Sequence, residues 1–255
     1  MAKLKDWCDA IDETVNGHNM RMLKAQAAKI NDGIDAVALD VPDHYAANAR
    51  IVRLIRLLGK DKAAEYLEEK LPTGKSIRSG DLGEMLGAAY VAEYTGYSSG
   101  VNRLRWKDHR EMAMRGDDLL AVQPDPKLKI IFLKGEVKSS VSLSSGTVTA
   151  ARKALSSQNN RPSPHALSFI SDRLHEVGNH TLGDLIDLAQ WRDGIKIAQV
   201  THLLFTFSGN DPRGILRKDL NGYAGKVAQI VVGVYVPKHQ DFIKAVYAKV
   251  VINGV

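Results

Sequence analysis

Apolar and polar positions change rhythm near residue 80. Before that point the spacing is helical. AANARIVRLIRLL (46–58) repeats Ile51, Leu54, Ile55 and Leu58 at the three-and-four interval of one apolar helix face, and Gly59 ends it. MRMLKAQAAKIN (20–31), rich in helix formers and free of Gly and Pro, is read as another helix. KDKAAEYLEEKL (60–71) reads as a third, stopped by Pro72, and PTGKSIRSGD (72–81) as a linker. Beyond it, DLGEMLGAAYVAEYTG (81–96) predicts a helix and VNRLRW (101–106) alternates like a strand. LLAV (119–122) and KLKIIFLKGEVKS (127–139) predict two strands, and THLLFTFS (201–208) and AQIVVGVYVP (228–237) predict two more, apolar throughout and therefore buried. Helices are predicted at 147–158, 164–177, 182–191 and 240–251. The pattern predicts an α/β fold: a mixed sheet core flanked by helices, with a helical N-terminal region at 1–75 as a candidate partner interface and a second unit at 76–255.

Composition narrows the function classes. A net charge of +6 and a pI of about 9.3 are compatible with a polyanionic partner without requiring one. A single cysteine, Cys8, leaves no internal disulfide or thiolate zinc site and fits a reducing, cytoplasmic setting. No apolar run approaches the roughly 20 residues needed to span a bilayer, so no membrane partner is expected. His175 and His180, five apart, fall on different faces of one helix, which disfavours histidine-based zinc chemistry.

The end of the 127–139 strand places Glu136 and Lys138 two residues apart, hence on one face. QPDP (123–126) is hairpin-like, so LLAV pairs antiparallel with that strand and brings Asp118 beside Glu136. Two carboxylates that close repel unless a cation neutralises both. Mg²⁺, or Mn²⁺ in its place, is the natural candidate, a hard ion that uses carboxylates together with substrate phosphate. Lys138 then supplies a charge for water or phosphate. These are the parts of a phosphodiester hydrolysis site.

Glu84 on a helix, Asp118 after Gly116-Asp117, and Glu136-Val137-Lys138 followed by a helix resemble the PD-(D/E)xK nuclease superfamily, whose fold is a restriction-endonuclease-like mixed sheet. In that resemblance Glu84, Asp118, Glu136 and Lys138 are catalytic, Asp118, Glu136 and Val137 hold the metal, and Gln158 stands where many members carry a polar residue. The run SGDLGEMLGAAYV, then RGDDLLAV, then LKGEVKSSVS is similar to the HamA family, the nuclease subunit of the Hachiman anti-phage defence system. That resemblance implies a metal-dependent DNA nuclease held by a superfamily 2 helicase of the HamB type.

Plainer readings stand beside these. Asp81-Leu82-Gly83-Glu84 reads as a capping box, and Asp117-Asp118 as turn residues. Ser139 and Ser140 are turn residues or phosphate contacts. Trp106, Trp191 and Tyr94 read as packing residues rather than base-stacking platforms. RLRWKDHREMAMR (103–115) holds five Arg or Lys and is either a solvated face or a backbone-tracking patch. The GKS at 74–76 is no phosphate loop, since Glu69 stands where a glycine is required. A catalytically silent, DNA-binding or regulatory subunit of a helicase complex is the alternative function.

Overall fold

The computed structural model describes residues 3–253, with side chains through residue 250. β1 (Cys8–Val15) and β2 (His18–Ala25) form an antiparallel hairpin turned by Asn16 and Gly17, both at positive φ. Four helices follow: α1 (Ile30–Tyr45), α2 (Asn48–Leu58), α3 (Lys60–Lys70) and α4 (Lys75–Tyr94). Next come β3 (Leu119–Asp125), β4 (Lys129–Ser140), α5 (Ser145–Ser156), α6 (Pro164–Glu176) and α7 (His180–Leu188). β5 (Val200–Ser208), α8 (Arg213–Asn221), β6 (Ala228–Tyr235) and α9 (His239–Asn253) complete the chain.

All six strands join one sheet in the order β1-β2-β6-β5-β4-β3. The inner four run parallel, and each edge strand runs antiparallel to its neighbour. The mixed α/β sheet flanked by helices that the hydrophobic pattern predicts is therefore observed. β5 is buried along nearly its whole length, which is why it reads as a continuous apolar run. One face packs on α1, α4 and α9 through Val41, Leu86 and Phe242 against Leu133, Phe205 and Val234. The other face divides. α6 and α7 cover Leu120, Val122 and Phe132, while α5 and α8 cover Leu204 and Val231.

Three local expectations fail. Residues 20–25 are strand, because Met20, Met22 and Leu23 are buried between β1 and β6, and that pairing overrides a weak helix preference. Residues 103–106 form a 3₁₀ turn rather than a strand. The presumed linker at 72–81 is mostly helix, since α4 starts at Lys75. A distant carboxylate supports that start: Glu111 accepts hydrogen bonds from the Thr73 and Gly74 amides and the Thr73 hydroxyl, at 2.5, 3.0 and 2.8 Å. These bonds hold the Glu111 carboxyl down at about 2. Asp81 is consequently mid-helix and no cap. It accepts from Lys107 Nζ at 2.7 Å and from the Tyr45 hydroxyl at 2.6 Å.

α4 lies unusually close to β4. A Cβ at Gly83 would meet Val137 at 3.0 Å and Ser139 at 3.2 Å, and one at Gly87 would meet Leu119 at 2.7 Å. These two glycines, one turn apart, let the helix settle onto the strand and bring Glu84 to the sheet's carboxyl end.

Candidate active site

The site forms at the carboxyl end of β4, where open α/β sheets commonly place ligands. Leu119 pairs with Gly135 in the β3–β4 ladder, so the next step of the register sets Asp118 opposite Glu136. Asp118 Oδ2 accepts from the Val137 amide at 2.9 Å. Lys138 Nζ donates to Glu136 Oε1 at 2.5 Å. Glu84 approaches from α4, with its Oε2 3.5 Å from Arg103 Nε.

The two successive aspartates do different work. Asp117 is buried with fixed partners: its Oδ2 accepts from the Ser163 amide at 2.7 Å, Lys134 Nζ lies 3.6 Å from its Oδ1, and its carbonyl accepts from the Arg103 guanidinium. Asp118 is left to face Glu136. Gly116, at φ +91°, makes the turn that leads into them.

Electrostatics bind the cluster together. Burial first, then the negative charges of Asp118 and Asp81, push the Glu84 carboxyl up to about 8 against the pull of Arg103 and Lys107. Asp118 is raised by burial, opposed by the Val137 amide, Lys138 and Arg103. Glu136 is raised by burial and by Asp118, opposed by Lys138. Asp118 is thus the middle carboxylate, felt by both of the others. Glu84 Oε2 and one Arg103 guanidinium nitrogen are buried without a hydrogen-bond partner.

A hard divalent cation fits this donor set, which is crowded and whose ligand atoms are all oxygen. Asp118 and Glu136 would supply carboxylates, and Val137, whose side chain has no ligand atom, only its carbonyl. Among the described residues no three His, Cys, Asp or Glu side chains already converge on one metal position. A cation here would need water and phosphate oxygens to complete its shell, as Mg²⁺ commonly does.

The raised Glu84 carboxyl has a measurable consequence in metal-free solution. Unfolded, it ionises near 4.5; folded, near 8. The folded state binds more protons between those values, so this contribution to stability is lost as pH rises toward 8. The buried histidines His44, His202 and His239, held down to about 4, act in the opposite sense, but only below their ordinary 6.5. Thermal melts in EDTA should therefore show Tm falling from pH 6.5 to 8.5, and falling less in Glu84→Gln. Equal slopes in the two proteins would contradict this assignment.

Sequence reasoning missed Arg103, Lys134 and His239. Arg103 is one of five basic residues in its stretch, and nothing in the spacing marks it as the one turned inward. Ser139 is bonded to Ser79 Oγ at 2.8 Å and to His239 Nε2 at 3.0 Å, tying β4 to α4 and α9. Ser140 donates to the Ser142 carbonyl, a turn contact. Gln158 is exposed beyond α5 and its side chain bonds none of these residues. Trp191 is no packing residue; it is 74% exposed. His175 and His180 lie on successive helices, not one, with their Nδ1 atoms 3.2 Å apart. Among the described residues no helix is long and apolar enough to cross a membrane.

Comparison with known proteins returns one family. A family model described as HamA matches residues 2–250. The Hachiman protein HamA of Bacillus cereus is 26% identical over 233 residues, covering 89% of this chain and 82% of the relative.

Proposed function

Starting from a chain that belongs to the HamA family, we propose that it is a metal-dependent DNA nuclease of PD-(D/E)xK type. It serves as the effector of a Hachiman anti-phage defence complex and is regulated by a superfamily 2 helicase of the HamB type. The observation that carries the reading is the meeting of Asp118 with Glu136 and Lys138 at the end of β4, with Glu84 adjoining and all three carboxyls pushed upward. Asp118, Glu136 and the Val137 carbonyl would hold Mg²⁺, which would supply Lewis acidity: a more acidic water and charge relief at the phosphate.

The protein's own groups do the rest. Asp118 is aimed by the Val137 amide and by the anchored Asp117 beside it. Lys138, partly exposed, reaches a phosphate oxygen or orients the attacking water as a point charge. Glu84, protonated at neutral pH without metal, is a proton-holding group beside Asp118. Because an unregulated nuclease endangers its own cell, the isolated chain is expected to cut more slowly than the helicase-bound one, with the N-terminal helical region facing the helicase.

The second reading, a silent DNA-binding subunit, draws support from the Lys138–Glu136 bond, which satisfies the glutamate without metal. Metal titration separates the two. Mg²⁺ or Mn²⁺ should raise Tm for the native protein and not for Glu136→Gln, by about 2.7 kcal/mol of stability when free metal reaches a hundred times Kd. Plasmid nicking should appear with the metal and vanish in EDTA. A flat thermal response together with intact plasmid, with and without the helicase, leaves the silent reading standing.

A further inference from the structure

A cavity of about 370 Å³ has walls from three segments that lead toward the carboxylate cluster, though none of the cluster's own residues lines it. The first is the 3₁₀ turn that carries Arg103 and, at its end, Trp106; the second is residues 112–115; the third is the start of α6, with His165 and Phe169. The same three segments fix the aspartates. Arg103 donates to the Asp117 carbonyl and the Ser163 amide to the Asp117 carboxylate, while Gly116 packs toward His165. Arg115 precedes Asp118 by three residues, so their Cα atoms lie within about 11 Å of each other.

The lining pairs aromatic surface with positive charge. Trp106 and Phe169 meet edge to face at 5.9 Å, and the Arg173 guanidinium lies 5.5 Å from the Trp106 ring centre. Arg173 is spent on Glu176, and Lys107 on Asp81. Arg115 and His165 are exposed, and neither has an ion-pair or hydrogen-bond partner among the described residues. The one acid in the lining is Asp108. A volume at the low end of the roughly 300–1,000 Å³ typical of small-ligand sites admits one nucleotide unit, not a duplex. Aromatic walls are useful only to a base whose face is uncovered, which a stacked duplex does not offer.

We propose that this cavity receives the base of an unpaired nucleotide next to the scissile phosphate, with Arg115 and His165 at its backbone. The substrate strand is therefore single-stranded, or locally opened, where it is cut. This rests on the nuclease reading for its position in the reaction, but binding is measured apart from cleavage.

The test uses fluorescein-labelled dT12, rU12 and a 12-base-pair duplex, followed by anisotropy with the full-length protein in EDTA. The native protein should bind dT12 about tenfold or more tightly than the duplex. Arg115→Ala/His165→Ala, at exposed positions, should weaken dT12 binding about tenfold and flatten its salt dependence by about 0.7 per lost phosphate contact. Trp106→Leu, with its folding checked by thermal melt, should weaken dT12 binding without changing the salt slope. Equal binding of rU12 assigns unpaired strands of either sugar, and weaker binding assigns DNA; both support the cavity. Binding of dT12 no tighter than the duplex, or unchanged in both variants, overturns it. If metal-dependent cleavage persists in that case, only the cavity proposal falls. If dT12 binding behaves as expected and no metal gives cleavage with or without the helicase, the nuclease reading falls and the single-strand site remains.

Discussion

Glu136→Gln is expected to lower Mg²⁺-dependent DNA cleavage by about a thousandfold, equivalent to about 4 kcal/mol of transition-state stabilisation. The change keeps the side chain's size and removes only its charge. That charge has two claimants. Lys138 meets it at 2.5 Å, and a divalent cation would compete for it. Lys138→Met separates the roles. It leaves both carboxylates in place, so metal-induced stabilisation should persist while cleavage falls by about a hundredfold or more. Stability should change little in either variant, because Lys138 is 29% exposed and partly exposed pairs contribute modestly. Plasmid nicking read alongside thermal shifts with Mg²⁺ and Mn²⁺ gives two distinct signatures, metal and activity lost together or activity lost alone. Cleavage by Glu136→Gln within tenfold of the native rate would remove this residue from the chemistry.

Lys134→Met should destabilise the fold by about 3–5 kcal/mol, as removal of one member of a buried ion pair commonly does. Lys134 is 1% exposed, and its ammonium donates to the Ser157 carbonyl and hydroxyl at 3.0 Å each while facing Asp117. Burial pushes its pKa down, and the charge of Asp117 opposes the shift. Without the ammonium, the Asp117 carboxylate stays buried with the Ser163 amide as its hydrogen-bond donor. For a chain of this length the loss corresponds to roughly 10 °C in Tm. The double change Lys134→Met/Asp117→Asn should recover much of it, since the orphaned charge is then gone. Urea denaturation measures both, and a single-variant loss below about 1 kcal/mol would show that the pair matters little. Cleavage should fall in Lys134→Met as well, because Asp117 anchors the backbone from which Asp118 projects.

The β3–β4 hairpin was legible as two apolar runs joined by a short local turn. The turn itself lies at residues 126–128 rather than at QPDP (123–126), whose first three residues belong to β3, and the observed register, not the predicted one, sets Asp118 opposite Glu136. The start of α4 was not legible: what supports it is Glu111, 37 residues beyond Gly74, and a cap delivered from such a distance leaves no mark in PTGKS. β2 was hidden for a related reason. Met20, Met22 and Leu23 suit a helix, and only the partners on either side make them strand. Arg103 was hidden because a 3₁₀ turn, not an alternating strand, decides which of the neighbouring basic residues turns inward. Gly83 and Gly87 are readable as small residues one turn apart, but their purpose appears only with Val137 and Leu119 beneath them.

The two margins of the sheet bear on how this molecule can be built into larger assemblies. β1, at one margin, carries Asp9, Asp12 and Glu13. Asp12 is clasped by its cross-strand partner Arg21, and Glu13 by Arg217 from α8. At the other margin, β3 is joined at Val122 by an antiparallel bridge to Ser98. Charged residues and a covering segment are the usual means by which proteins discourage further strands from adding. An incoming subunit therefore docks most readily on helical and loop surfaces, and a complex formed that way can separate without unpicking a backbone ladder.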